Sequence, residues 1–443
     1  MKYDFTTILD RAGRDSLAAD VVPFDVQPDP DVRKIPMWVA DMSFPAAPPI
    51  IEAIEKRLEM PNFGYFSLPD SYFDSIISWQ QRRNGITKLS REHIGYENGV
   101  LGGVSSAVQA LTAPGEKILV HSPTYVGFTH TMADNGRVLV HSPLVRDENG
   151  VWRMDYADMD AKLKRHHIHL AILCSPHNPC GRVWERWELE RAMEVYAAND
   201  CLVISDEIWS DIIMPGHKHI PTQSVSADAR ERTMAFYAPS KTFSLAGLIG
   251  SYHIIYNTYL RDRVVRQSEV SHYNDCNVLS LHALLGAYSP AGEEWADEMC
   301  RVIDANHEYA CNFIRDNFKG VRVMRPEGTY MRRLVPQARR HDTRASGARH
   351  PRRCDLAGRR SLHAQGHYPH EPRPPALTAR RGNAKAEGKG FCVKNIDQQM
   401  CSPCSTALSR SCWRSAAGNK KSHLWYPAGR HRCDLLIFTF SFY

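Results

Sequence analysis

The sequence has no apolar run approaching the ~20 residues that a bilayer-spanning helix needs. Nor does it open on a positively charged start leading into an apolar stretch. Both absences lead us to expect a soluble, cytoplasmic protein with no membrane partner; the apolar end Leu435 to Tyr443 is too short to span and reads as a sticky terminus. No fixed-period repeat and no heptad run occur, which excludes solenoid and coiled-coil architectures. No Gly-Lys-Ser/Thr follows the glycine-rich stretch Asn98–Val104, which argues against a nucleotide P-loop.

Cysteine is not scarce, at 12 residues, but without a secretory signal these read as free thiols, not a disulfide framework. Cys174, Cys201 and Cys300 lie among apolar neighbours, the ordinary place of a buried thiol. Cys401 and Cys404 form one C-x-x-C pair with no second pair at a suitable spacing, so no metal is expected.

A chain of 443 residues has room for two or three domains and for a core that needs no staples. Its net charge of +6 is the sum of two unlike parts. Residues 332–443 carry 22 Lys and Arg against 6 Asp and Glu, a net of +16, and residues 1–331 carry −10. The tail is also rich in Arg, His and Pro and has little periodicity, a composition that cannot easily bury a core. Its charge would hold acidic surfaces through composition alone, and no specific nucleic-acid partner is expected.

From about residue 93 to 256, short apolar runs alternate with polar or glycine-rich loops and amphipathic stretches, which predicts an α/β domain on a largely parallel sheet. The expected strands are Lys117–His121, Val138–His141, His169–Cys174, Leu202–Ser205, Met234–Tyr237 and Tyr252–Tyr256. The spacing of Trp295, Met299, Val302, Tyr309, Phe313 and Phe318 predicts one long helix over Glu293–Phe318. Residues up to about Phe44 read as an arm or surface loop, with an unusual tryptophan in Met37-Trp38-Val39-Ala40-Asp41-Met42.

Ligands of open α/β sheets gather at the carboxyl ends of the strands, and there the chain places its chemistry. Lys241, in Ala238-Pro239-Ser240-Lys241-Thr242-Phe243-Ser244-Leu245-Ala246-Gly247-Leu248, stands among small and apolar residues. Desolvation would lower the pKa of such a lysine towards ~7 to 8 and make it a nucleophile and base; a surface lysine is the plain alternative. Asp206 ends a buried strand, where it could be a helix cap, a salt-bridge partner or the carboxylate of a cofactor site. Asn178, in Ser175-Pro176-His177-Asn178-Pro179, could start a turn or bond a ring oxygen. Asn98-Gly99-Val100-Leu101-Gly102-Gly103 leads into an expected helix Ser105–Leu111 whose free amides could cradle a phosphate. Tyr125 could stack on an aromatic ring and Tyr65 could reach a phosphate, a structural role being the default for each.

In this order the glycine loop, Tyr125, Asn178, Asp206 and Lys241 resemble the fold-type I pyridoxal-phosphate enzymes of the class I/II aminotransferase superfamily. Met37–Met42, Ser205–Asp211 and Ser240–Leu248 resemble most the MalY/PatB-type cystathionine beta-lyases, which are carbon-sulfur lyases. The resemblance covers residues 1 to about 331 and stops after Pro326-Glu327-Gly328-Thr329-Tyr330-Met331. It implies an α/β fold with an N-terminal arm that also forms part of the small domain (1–45), a large cofactor domain with a mostly parallel sheet (46–288), and the start of the C-terminal part of that smaller α/β domain (289–331), which is incomplete. Residues 332–443 are then an atypical basic tail, disordered or produced by a reading-frame shift or misjoined exon.

The resemblance further implies that pyridoxal 5'-phosphate is carried by Lys241, its pyridine nitrogen facing Asp206, its ring oxygen Asn178, and its ring face Tyr125. Val100, Leu101 and Ser240 would hold the phosphate, and Tyr65 would reach in from the second subunit of a homodimer. Trp209 departs from the tyrosine, and Ile249 from the arginine, that many aminotransferases carry. The implied activity is β-elimination from cystathionine or a cysteine S-conjugate, giving a thiol, pyruvate and ammonia. An aminotransferase, and a homologue that binds or regulates without catalysis, are the alternatives.

Overall fold

Leu170–Cys174 and Thr233–Tyr237 are buried at every position, as strands covered on both faces must be. In a computed structural model of the chain, which describes residues 1–22, 35–336 and 436–439, they lie inside a seven-stranded sheet. The strands in chain order are β1 (Ile94–Asn98), β2 (Lys117–Ser122), β3 (Val138–Pro143), β4 (Val145–Arg146), β5 (Trp152–Arg153), β6 (Leu170–Cys174), β7 (Leu202–Asp206), β8 (Thr233–Tyr237), β9 (Gly250–Ile254), β10 (Val321–Val323), β11 (Met331–Pro336) and β12 (Leu436–Thr439). The large sheet runs β1-β9-β8-β7-β6-β2-β3, and only β9 is antiparallel to its neighbours.

The helices are α1 (Leu17–Asp20), α2 (Pro48–Leu58), α3 (Asp70–Asn84), α4 (Val100–Leu111), α5 (Val126–Asp134), α6 (Tyr156–His166), α7 (Arg186–Ala198), α8 (Ala227–Arg232), α9 (Thr258–Ser271), α10 (Val278–Ala287) and α11 (Pro290–Asn317). Alternate residues of β6 face opposite layers. Leu170, Ile172 and Cys174 pack with Val104, Phe128 and Leu260 of α4, α5 and α9, whereas Ala171 and Leu173 pack with Met159 and Leu189 of α6 and α7. Side-chain caps set helix starts: Asp155 accepts from Asp158 N–H, Asn257 from Leu260 N–H and Asn277 from Ser280 N–H, each satisfying a first-turn amide.

All six expected strands occur within two residues of their expected bounds. β1 was not expected, because Gly95 and Glu97 interrupt its apolar alternation. Glu97 is nevertheless fully buried, since its carboxylate takes a bond from His253 Nδ1 at 2.8 Å. Helix α4 begins five residues before the expected Ser105, and Gly102 and Gly103 are helical. A side chain at Gly103 would meet Phe236 at 2.5 Å, so this glycine serves close helix-to-sheet packing. In α11 the buried stripe is Trp295, Met299, Ile303, Ala310 and Ile314, while Tyr309 and Phe313 are exposed.

The arm is anchored in the core. Phe5 meets Phe44 edge-on at 5.1 Å and Trp295 at 5.2 Å. Within the basic tail, β11 and β12 pair antiparallel, with β10 on the other side of β11. Arg332 is wholly buried and donates to the His307 carbonyl at 2.7 Å, a placement its composition does not suggest. Cys401 and Cys404 lie outside the described residues.

Candidate active site

Five strand ends build the site. Asp206 is the last residue of β7 and Cys174 the last of β6, and they stand side by side in register. Beyond β8 the chain turns tightly, with Phe243 N–H donating to Pro239 O at 2.9 Å and Leu245 N–H to Ser240 O at 3.0 Å. This turn presents Lys241. Its Nζ donates to Ala40 O at 3.2 Å and lies 5.9 Å from the centre of the Trp209 ring. Burial lowers the Lys241 pKa, opposed by the charges of Asp41 and then Asp206.

Asp206 is 4% exposed. Burial, reinforced by the charge of Glu207, pushes its carboxyl up to about 7, against the pull of Ile208 N–H and Lys241. Ile208 N–H reaches Oδ1 at 3.1 Å, and among the described residues no hydrogen bond reaches Oδ2. Tyr125 stands at the start of α5, edge-on to Phe128 at 5.5 Å. Burial raises its pKa, with the Asp206 charge next, so the phenol is neutral. Asn178 is buried in the loop after β6, its N–H directed to Cys174 Sγ at 3.4 Å. Gly99, at φ 77°, opens α4, and helix geometry leaves the Val100 and Leu101 amides unpaired within the helix.

Ser240 is half-buried in the lysine turn. Ile249 is half-exposed at φ 53°, with its Cγ2 3.8 Å from where a Gly99 side chain would begin. An apolar group therefore borders the helix opening. Trp209 is buried and meets Tyr330 edge-on at 4.8 Å. Tyr65 stands apart from these residues, fully exposed.

Sequence reasoning passed over other residues of the site. Asp41, bonded to Arg11 at 2.7 Å, follows the residue that holds Lys241; its one signal was the odd Trp38 stretch. Gly127 makes room for the Tyr125 ring, since a side chain there would lie 2.3 Å from Tyr125 Cε1. Glu207, fully buried, accepts from Tyr237 OH at 2.6 Å, His219 Nε2 at 2.8 Å, Ser205 Oγ at 2.9 Å and Thr222 N–H at 3.0 Å. Arg182, in the Asn178 loop, is ion-paired to Glu188 and Glu327. Glu327 N–H and Gly328 N–H both donate to Gly181 O. The contacts of Asp41 with Arg11, of Glu207 with His219 and Tyr237, and of Arg182 with Glu327 have no local sequence signature, because each joins separate segments.

The arrangement fits a pyridine-ring cofactor. It offers a buried carboxylate with an oxygen left for a donor, an amine of lowered pKa, the Tyr125 ring near the carboxylate and the Trp209 ring near the amine, and a helix opening for an anion.

The family described as "Aminotransferase class I and II" matches residues 36–340. The chain belongs to the class I and II aminotransferase family. Cystathionine beta-lyase PatB of Bacillus subtilis (strain 168) is 37% identical over 297 residues, 67% of this chain and 76% of PatB. Among solved structures, cystalysin from Treponema denticola, which contains a pyridoxal 5'-phosphate cofactor, superposes with a TM-score of 0.70 at 30% identity. That match covers 75% of this chain and 84% of cystalysin. The pyridoxal-phosphate-bound C-S lyase from Staphylococcus hominis gives 0.68 at 31% identity, covering 75% and 82%. This class I and II aminotransferase relative thus has the fold-type I architecture, in a subgroup close to carbon-sulfur lyases. The family match runs nine residues past Met331, to residue 340, so its pattern continues through β11.

Proposed function

We propose that the protein is a pyridoxal 5'-phosphate-dependent carbon-sulfur β-lyase acting on cystathionine or cysteine S-conjugates. The observation that carries the proposal is the meeting of a desolvated Lys241 and a buried Asp206 at adjoining strand ends. The likeness to PatB and to C-S lyases supports the choice of reaction.

Lys241 would hold the cofactor covalently, Asp206 its ring nitrogen, Asn178 its ring oxygen and Tyr125 its ring face. Val100, Leu101 and Ser240 would hold its phosphate, and Tyr65 of a second subunit would complete the site in a homodimer. When bound, the cofactor supplies an electron sink that acidifies the substrate's α carbon.

The chain's own residues do the rest. The Asp206 carboxylate, unstable as a buried lone charge, gains a partner when it faces a protonated ring nitrogen. The Lys241 amine, its pKa lowered by burial, takes the α proton. The Trp209 ring, 5.9 Å from Nζ and packed edge-on against Tyr330, would shield the amine on that side. The thiol leaves from the β carbon, and the aminoacrylate hydrolyses to pyruvate and ammonia.

The test is pyruvate release from L-cystathionine by the purified protein with cofactor and no 2-oxo acid, alongside Lys241→Ala. Pyruvate that disappears in the variant supports the lyase. Turnover that requires a 2-oxo acid would make the protein an aminotransferase, which shares every residue assigned to the cofactor.

A further inference from the structure

Asp41 is fixed where it stands. Arg11 Nη1 holds its Oδ2 at 2.7 Å, and the same guanidinium reaches Met42 O at 3.5 Å and Ser43 Oγ at 3.4 Å. Asp41 N–H donates to Val39 O at 2.9 Å, closing a turn. Met42, Ser43 and Phe44 are buried behind it. One guanidinium therefore fastens the segment whose Ala40 carbonyl accepts from Lys241 Nζ.

Two anions act on Lys241, Asp41 ahead of Asp206. Nearby, the phenols of Tyr125, beside Asp206, and Tyr330, beside Asp41, are held neutral by burial. Burial is the main cause of the raised Tyr330 pKa and Asp41 is the next, so Asp41 is sensed from the Tyr330 side as well. In the function proposed above, Asp206 is committed to the ring nitrogen. A lysine that takes a proton from carbon then needs a different counter-charge.

We infer that Asp41, fastened by Arg11, is a positioning residue that serves as counter-ion to the Lys241 ammonium. As the α C–H bond breaks, a new N–H bond forms on Nζ. The C–H electron pair becomes the Cα–Cβ double bond, and the C–S pair leaves with sulfur. The ammonium, steadied beside Asp41, then gives a proton to the thiolate, and Lys241 is neutral again. The Arg11 pairing moderates the Asp41 charge, so that Lys241 can also be neutral when it must bond the cofactor.

This inference rests on Lys241 being the cofactor lysine, but its test needs neither cofactor nor turnover. Cofactor-free protein is trace-labelled with acetic anhydride across a pH series, and the Lys241 peptide is quantified by mass spectrometry. In Asp41→Asn the midpoint of Lys241 labelling is expected to fall by about one pH unit, the usual effect of removing a close opposite charge. In Arg11→Met it is expected to rise, because the carboxylate then acts unmoderated. General loosening of the fold would move both variants the same way. An unchanged midpoint in folded Asp41→Asn, or shifts of one sign in both variants, overturns the inference. Failure of the cofactor assignment itself would show separately, as a cofactor attached to another lysine.

Discussion

Asp206 and Glu207 are consecutive residues at the end of β7, both buried, yet their surroundings drive their carboxyls in opposite directions. Glu207 accepts four hydrogen bonds, and His219 and Tyr237 hold its pKa down despite burial. Asp206 accepts one, from Ile208 N–H, and is pushed up to about 7. One carboxylate is satisfied by the fold and its neighbour awaits a ligand.

Without cofactor, the raised Asp206 pKa means that the folded state keeps a proton that the unfolded state has lost, from its ordinary value near ~4 upward. Its stabilisation is full below that value and is lost as pH rises to about 7. Asp206→Asn should remove this slope and melt higher than the parent protein above pH 7. Activity should fall by about ten- to a hundredfold, the worth of one charged hydrogen bond. Melting curves of the cofactor-free proteins across pH, together with pyruvate assays, check both.

Glu207 has the opposite sign. Its lowered pKa gives stability that is present above the ordinary glutamate value and is lost as pH falls through the folded one. Glu207→Ala leaves His219 and Tyr237 without their shared acceptor, and a loss of about 3–5 kcal/mol is expected at neutral pH. Urea unfolding of parent and variant measures it.

Gly127→Ala should move the Tyr125 ring, since the new methyl would fall 2.3 Å from Cε1. Alanine suits a helix better than glycine, so thermal stability should hold while cofactor affinity drops by roughly tenfold, a loss of ~1.4 kcal/mol of ring contact. Titration of the cofactor-free variant with pyridoxal phosphate, read by absorbance, separates the two effects.

Glu327 ties the Asn178 loop to the segment before β11 through Arg182. Glu327→Gln should cost about 1.5–3 kcal/mol, the range for a hydrogen bond to a charged group. Cofactor release should also quicken as the Asn178 loop loosens. Dilution of the loaded variant, followed by loss of visible absorbance, tests the second consequence.

Much of this was legible in the chain. The β6, β7 and β8 runs are apolar throughout because both faces are covered, and the motifs fall at their carboxyl ends, where the sheet gathers Lys241, Asp206, Asn178 and Tyr125. β1 was hidden because its burial depends on Glu97 pairing with His253, a partner 156 residues away. Partners outside the local segment also concealed Asp41, which pairs with Arg11 and follows the residue that accepts from Lys241, and Arg332, which is buried against His307.

Borohydride reduction of the cofactor-loaded protein, followed by peptide mass mapping, tests the central assignment most directly. The reduced cofactor is expected on the peptide that contains Lys241, and on no peptide in Lys241→Ala. A cofactor mass fixed to another lysine, or none fixed to a coloured protein, would contradict the site described above.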